Sequence, residues 1–362
     1  MKKTKRPLNT WAFLGIYLAI LAVFAGVYAL TKAINTPVPI VGTGSYTPGT
    51  YTGVGAGRNG DITVAVTVNE NTIQAIQIVR HDETPGISDG AIADIPAAIV
   101  ATQSLGVDSV SGATVSSEGI VAAVADAIAK AGGDVEALKN VAIAAGEHSS
   151  KELTADVVVV GGGGAGMTAA VRLAEQGKHV ILFEKASFLG GAISVSGGNQ
   201  VIMGSKLQAE NGVTDDSVES MVADFQANGA NKNNEEILTL FAENVGSATD
   251  WLVEHCGVGF AEGLHQLGEY THNRELAYTG GGAGFAETMR KAVADSGAEV
   301  YLSTKVESLI TDDNGAVVGV KAVSTDGNTD YTVSAANVIL ATGGYGNNKE
   351  MLTDEMKSAL YY

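Results

Sequence analysis

Residues 61–68 (DITVAVTV) and 72–79 (TIQAIQIV) alternate apolar and polar side chains on either side of NEN, a pattern that predicts a β-hairpin with one buried face. From about Ala91 to Thr102 and from Ser117 to Lys130 the apolar residues recur at helical spacing. Residues 47–131 are therefore expected to form a small α+β unit. Farther along, residues 155–160 (ADVVVV) are a short apolar run suited to a fully buried parallel strand. They lead into GGGGAG, a helical stretch MTAAVRLAEQG and a second strand HVILFEK. A strand pair is expected within VYLSTKVESLIT and another strand at 338–341. Between these parts, residues 206–294 are richer in Asn, Asp and Glu and hold two helices, SVESMVADFQ and EEILTLFAENVGSATDWLVEHCG. At the amino end, residues 11–30 (WAFLGIYLAILAVFAGVYAL) carry no charge, and 20 helical residues at about 1.5 Å each match the roughly 30 Å hydrocarbon core of a bilayer. One membrane span is expected there.

Composition sharpens this outline. A chain of 362 residues that is 45% hydrophobic and 17% charged can bury two or three cores, which excludes a mainly disordered protein. With 22 basic and 40 acidic side chains the formal charge is −18. Such a balance argues against a nucleic-acid partner, whose phosphates need Lys and Arg. The single cysteine, Cys256, excludes an internal disulfide framework, a Cys-x-x-Cys-His haem attachment and multi-thiolate clusters. Lys2, Lys3, Lys5 and Arg6 precede the apolar segment and only Lys32 follows it closely, so the amino end is expected to stay in the cytoplasm and the rest to lie outside the cell membrane. A cleaved signal peptide is the competing reading, but its apolar region would run about 7–15 residues before a small-x-small site, and YALTKA fits that poorly. Residues 1–32 contain five bases and no acid, leaving the exported part at 17 − 40 = −23. Such a part is soluble and stands off anionic lipid.

Two polar segments stand out in the first unit: 80–86 (RHDETPG), after the second strand, and 108–117 (DSVSGATVSS), before a helix. Loops fixed by a strand end and a helix start often carry function. Each also has a plain structural explanation, ETPG as a turn and Ser116 or Ser117 as a helix cap. Together they resemble the FMN-binding domain of the sodium-pumping quinone reductase and electron-transport flavoproteins, in which Asp-x-x-Ser-Gly-Ala-Thr signals covalent flavin attachment. That resemblance implies FMN on Thr114 through a phosphoester made by a separate flavin transferase, with Gly112 and Ala113 leaving the hydroxyl uncrowded and Glu83 and Thr84 near the flavin. His81 is given no role.

In the second unit Gly161, Gly163 and Gly166 form G-x-G-x-x-G between a strand and a helix, and Glu184 ends the next strand about 20 residues on. This is the full context of a dinucleotide site: glycines for the turn, the approach of pyrophosphate and helix packing, and an acid for the ribose hydroxyl. NAD or FAD is left open by that motif. The stretches ASFLGGAISVSGG and VILATGGYGNN resemble the flavoprotein family of fumarate reductase, urocanate reductase and ketosteroid dehydrogenases. The resemblance runs from Thr154 to about Met351 and implies non-covalent FAD. Gly190, Gly191, Ser196, Gly197 and Gly198 would lie along it, Thr342, Gly343 and Gly344 would pass it again, Ala165 and Glu184 would contact it, and Val306 would sit near the adenine. Many members have Asn where this chain has Ala192, which is therefore left out of the site.

The expected fold is an incomplete α/β Rossmann-type FAD domain (154–205 and 295–362) with an inserted, partial substrate-clamp domain (206–294). A small α+β FMN-binding domain (47–131) and one transmembrane helix (within 1–32) precede it, with linkers at 33–46 and 132–153. The resemblance implies a membrane-anchored reductase outside the cell membrane, passing electrons from an upstream membrane donor through FMN and FAD to a small unsaturated carboxylate. The alternatives are a ketosteroid-type dehydrogenase and an electron carrier without a catalytic site of its own. His265, His272 and Arg274 are candidate ligands but fit solvated loop positions. The family's catalytic arginine is expected beyond Tyr362, so no catalytic residue is assigned within this chain.

Overall fold

The alternation in residues 61–68 becomes a strand whose every second side chain, Ile62, Val64, Val66 and Val68, is buried. In the computed structural model, which describes residues 45–143, 146–265, 270–346, 348 and 350–352, it is the middle of three antiparallel strands: β1 (Gly49–Ala56), β2 (Asp61–Val68) and β3 (Ile73–Arg80). Helices α1 (Asp89–Thr102) and α2 (Thr114–Lys130) cover the apolar face, joining Ile95, Ile99, Ile120, Val124 and Ile128 to the same core. A five-residue helix, α3 (Val135–Lys139), adds Leu138 and is capped by Asp134, whose carboxylate accepts from Ala137 N at 3.0 Å. The membrane span expected at 11–30 lies outside the described residues. Among the described residues no helix is long and apolar enough to cross a membrane.

β1 is absent from the hydrophobic pattern because glycines stand where apolar residues would. Its Gly53 and Gly55 lie so close to α2 that a Cβ would fall 1.9 Å from Ala123 O and 2.1 Å from Gly119 O. A bare backbone is what lets helix and strand touch. The start of α2 also differs from expectation. The helix begins at Thr114, three residues early, with Ala113 at the cap and no side-chain cap bond. Ser116 and Ser117 are not caps. Both are buried in the first turn, where Ser117 Oγ donates to Ala113 O and accepts from Val110 N, each at 3.0 Å.

The second part is built on β4 (Ser149–Val160), which enters six residues before the expected run and extends back into the stretch read as linker. α4 (Gly164–Glu175) and β5 (Val180–Phe183) follow. An excursion then comprises β6 (Asn199–Val201), α5 (Lys206–Glu210), α6 (Val218–Asn228), α7 (Glu235–Cys256) and β7 (Glu275–Ala277). The chain returns through α8 (Gly281–Ser296), β8 (Glu299–Tyr301), β9 (Thr304–Thr311), β10 (Val317–Ser324) and β11 (Thr329–Leu340). The six-stranded sheet has the order β8-β5-β4-β11-β10-β9, with β8, β5, β4 and β11 parallel and β9 and β10 antiparallel to their neighbours.

Parallel strands buried on both faces need unbroken apolar runs, and Val157–Val160 and Val180–Phe183 supply them. On one face Val159, Val180 and Leu182 pack with Met167 of α4 and Phe285, Met289 and Val293 of α8. On the other, Val158, Ile181 and Phe183 meet Val320, Tyr331 and Val333. Although α8 falls largely inside the range read as clamp, its apolar side lies on the sheet and it feeds β8. What remains of the excursion has a small core of its own around Met203, Met221, Ala242 and Val245.

Candidate functional site

The turn after β4 brings the chain as close to itself as atoms allow. A Cβ at Gly166 would lie 1.8 Å from Gly161 O, and one at Gly161 would lie 2.5 Å from Ala341 O. Both positions are closed to any side chain, so helix α4 and the end of β11 press directly on the turn. At Gly163 the nearest atom to an added Cβ is Gly190 O at 4.0 Å, so this side of the turn faces open space. Helix α4 starts there with no side-chain cap, and its first N–H groups are available to an anion. Glu184, at the end of β5, accepts from Gly162 N (2.6 Å, Oε2) and Ala186 N (2.7 Å, Oε1). One carboxylate thus fastens the glycine turn to the loop after β5, with further lone-pair directions left over.

These parts wall a cavity of about 450 Å³ at the carboxyl ends of the parallel strands, where ligands of open α/β sheets bind. Of the residues expected at the dinucleotide site, Gly161, Gly163, Glu184, Gly191, Val306, Thr342, Gly343 and Gly344 line it. Gly166 sits behind the wall as packing, and Gly190 lies at its edge, against the buried Ser194 Oγ, which has no hydrogen-bond partner among the described residues. Residues the sequence did not single out also line it: Val160, Phe183, Lys185, Ala192, Thr304 and Lys305. Ala192 was set aside for lacking an amide side chain, yet its place in the chain puts it in the wall. Val160, Phe183, Thr304 and Lys305 are strand residues and Lys185 follows Glu184 in the loop after β5, positions that carry no cofactor signal of their own in the sequence.

Ser196, Gly197 and Gly198 are placed elsewhere. They pack on the start of α8, where Gly282 N donates to Ser196 O at 3.3 Å and a Cβ at Gly198 would lie 2.2 Å from Gly282 N. Ala165 faces a second, larger and mostly apolar cavity of about 840 Å³, shared with Ile193, Gln200, Trp251, Tyr278 and Phe285. The Tyr278 hydroxyl donates to Gln200 Oε1 at 2.5 Å, and Gln200 Nε2 donates to Thr249 Oγ1 at 2.7 Å. Burial pushes the Tyr278 phenol up to about 12, so it is a hydrogen-bond donor at every physiological pH.

In the first unit the two polar segments meet. Glu83 is 4% exposed and accepts from Ser116 Oγ, in the first turn of α2, and from Asn59 N at 2.9 Å. Asn59 Nδ2 donates to Thr84 Oγ1 at 2.9 Å. The ETPG turn is thereby locked to the helix start that presents Thr114, an exposed residue following Gly112 (φ +87°) and the buried Ala113. An exposed hydroxyl beside uncapped helical N–H groups fits a phosphate ester, as open space beside Gly163 fits a diphosphate.

The FAD binding domain family model matches residues 156–362 and the FMN-binding domain family model matches residues 57–129. A urocanate reductase from Eggerthella lenta is 34% identical over 304 residues, which cover 83% of this chain and 50% of the relative. The chain belongs to this family of FAD- and FMN-binding flavoprotein reductases. The flavoprotein also resembles a flavocytochrome c3 fumarate reductase in its open conformation, at 35% identity and a TM-score of 0.50 over 55% of this chain and 35% of that one. A 3-ketosteroid-Δ4-(5α)-dehydrogenase from Rhodococcus jostii matches the same share of the flavoprotein, at 29% identity and a TM-score of 0.50, covering 48% of its own chain. The flavoprotein spans about half the length of the urocanate reductase it matches.

Because Glu184 holds two loops of the flavoprotein as well as facing the cavity, Glu184→Ala should weaken FAD binding by roughly tenfold or more, given about 1.5–3 kcal/mol for a hydrogen bond to a charged group. Fluorescence titration of FAD checks this. An unchanged affinity would remove Glu184 from the site.

Of the three candidate ligands in the flavoprotein's excursion, Arg274 is fully buried and engaged. Its Nε and Nη2 each donate to Asp216 at 2.8 Å, Nη1 donates to Asp224 at 2.5 Å, and Nη2 also reaches Ser220 Oγ at 3.0 Å. His272 lies beside the same Asp216 at 3.5 Å. His265 pairs through its backbone with Glu275. Arg274 is the cross-brace of this region, with four of its five N–H donors engaged within the cluster and its side chain fully buried.

Proposed function

We propose that this chain carries FMN covalently on Thr114 and FAD non-covalently in the cavity walled by Gly161, Glu184 and Gly344. Electrons pass from the first to the second and on to the C=C bond of a small unsaturated carboxylate of the urocanate or fumarate type. The observation that carries the reading is the junction of two cofactor-type sites in one chain: a helix start presenting an exposed threonine hydroxyl, and a glycine turn opening on a strand-end cavity. The likeness to the urocanate reductase is longer than the FAD-domain match alone, so it reaches into the first unit. A ketosteroid-type dehydrogenase has no use for that unit.

FAD, when bound, supplies the hydride that adds to one carbon of the double bond while a proton reaches the other. The chain's own residues hold and orient. Gly163 and the first N–H groups of α4 take the pyrophosphate, Glu184 the ribose, and Val160, Phe183 and Val306 offer an apolar wall to the adenine. Glu83, through Ser116, fixes the turn that presents Thr114, whose hydroxyl oxygen would hold the FMN phosphate as an ester. The reading further includes a membrane anchor at residues 11–30 with the bulk of the chain outside, maturation by a flavin transferase, and a membrane-bound electron donor. Covalent attachment suits that location, because a cofactor lost outside the cell is not recovered.

The test is co-expression with a flavin transferase followed by a denaturing gel viewed under ultraviolet light. The wild-type band should fluoresce, and Thr114→Ala should not, while FAD binding by the folded chain persists. Fluorescence surviving the substitution would refute Thr114 as the attachment site.

A further inference from the structure

The segment from Glu184 to Ala192 has two faces. Its ends, Glu184, Lys185, Gly191 and Ala192, line the strand-end cavity. Its middle is the seat of the first unit. Ser187 N donates to Ser111 O at 3.1 Å, and Gly112 lies against Phe188 and Ala186, where a Cβ would stand 2.8 Å from Phe188 Cε1 and 3.1 Å from Ala186 Cβ. Arg290, on α8, holds the segment from below through a 2.9 Å bond from Nη1 to Leu189 O. The same guanidinium packs on Gly86 of the ETPG turn, where a Cβ would fall 2.8 Å from Nη2. Gly86 (φ +77°) and Gly112 (φ +87°) both hold left-handed backbone, so each contact point is a glycine by local geometry as well as by space.

The 108–117 loop thus rests directly on a nine-residue stretch that also forms cavity wall, and the ETPG turn rests on the arginine that pins that stretch. That stretch contains Gly190 and Gly191 at φ +133° and +55°, a backbone with much conformational freedom to lose. Whatever orders it for one neighbour lowers the cost of ordering it for the other.

We propose that residues 184–192, pinned by Arg290, couple the two cofactor sites: filling the cavity tightens the seat of the loop that bears Thr114, and seating that loop tightens the hold on FAD. Arg290 and Phe188 are positioning residues in this device, which rests on the cofactor assignment above. Coupling of this kind is reciprocal and typically spans about 5- to 150-fold in affinity.

The test uses the full chain carrying FMN, with hydrogen exchange of residues 108–114 followed with and without added FAD. FAD affinity is measured in parallel by fluorescence titration on wild type, Phe188→Ala, Arg290→Met and Arg290→Lys. In the wild type, FAD should slow exchange at 108–114. Phe188→Ala, at a residue outside the cavity lining, should weaken FAD by about fivefold or more and abolish the FAD effect on exchange. Arg290→Met should do the same, and Arg290→Lys, which keeps a donor for Leu189 O, should fall between. Bound FAD with unchanged exchange at 108–114 overturns the coupling and leaves the cofactor assignment standing. A wild-type chain that takes up no FAD overturns both.

Discussion

Arg274→Met is expected to cost about 3–5 kcal/mol, the usual penalty for removing one partner of a buried ion pair and leaving the other charged. The residue it removes is fully buried and bonds to two carboxylates, Asp216 and Asp224, whose side chains are 2% and 9% exposed. Asp224 would keep two donors, Thr271 N at 2.9 Å and Thr271 Oγ1 at 2.8 Å, and Asp216 would keep Gln208 Nε2 at 2.8 Å and Ser217 N at 2.9 Å. Neither would keep a guanidinium in contact, and only His272, 3.5 Å from Asp216, would remain beside the pair among the described ion pairs. Urea unfolding of the folded chain measures the loss, and a loss below about 1 kcal/mol, the range of an exposed pair, would mean that the cluster is solvated.

The same cluster fixes a pH dependence whose sign the substitution reverses. Burial by itself raises both aspartates, but hydrogen bonds and charge from Arg274, with those from Gln208, Ser217 and Thr271, outweigh it and hold both below the ordinary carboxylate value. A lowered folded pKa gives stability that is complete above the unfolded value of about 4 and is lost as the pH falls beneath it. The wild-type excursion should therefore be insensitive to pH between about 7 and 5 on account of this cluster and loosen in stronger acid. Without Arg274 burial acts with less opposition and the pKa values rise, so the variant should gain stability as the pH is lowered from 7 to 5. Unfolding curves at the two pH values separate the cases.

Gly166→Ala is expected to abolish FAD binding. The new methyl carbon would stand 1.8 Å from Gly161 O, and neither that backbone carbonyl nor a Cβ fixed by its own backbone can rotate aside. The turn is held on its other side by Gly161 N donating to Phe183 O at 2.8 Å and Gly162 N donating to Glu184. Relief requires the turn to move outward by about 1 Å in a close-packed interior, into the space that Gly163 leaves open for the diphosphate. Absorbance of retained flavin after gel filtration reads the effect, with circular dichroism to establish that the sheet still folds. Normal FAD retention in a folded Gly166→Ala chain would show that the turn does not cradle the cofactor.

The dinucleotide half was legible because its signals are local. A buried parallel strand needs an apolar run, a tight turn needs glycines at fixed offsets, and the next strand needs an acid at its end, so Val157 through Glu184 fell where expected. Two strands were expected within VYLSTKVESLIT and two are there, but they do not pair with each other: β8 lies against β5 and β9 against β10, at opposite edges of the sheet. What was not legible depends on residues distant in sequence. β1 was hidden because its glycines are dictated by α2, about 70 residues later. The true start of α2 was hidden because Ser116 reads as a cap until Glu83 is seen to claim it. Arg274 resembled a loop ligand because Asp216 and Asp224, its partners, lie 58 and 50 residues away. Gly198, expected along the cofactor, also permits a close approach to the start of helix α8, which is about 80 residues away in sequence.

The early start of β4 has one more consequence. From the end of α3 at Lys139 to Ser149, where the central strand of the larger sheet begins, only the nine residues 140–148 intervene. Even fully extended they reach about 30 Å. On the proposed assignment a flavin on Thr114 would be on a short leash, and its meeting with the cavity at Glu184 would be intramolecular, set by an effective concentration of millimolar order rather than by how much protein is in solution. Electron exchange between the two proposed sites should keep its rate on dilution.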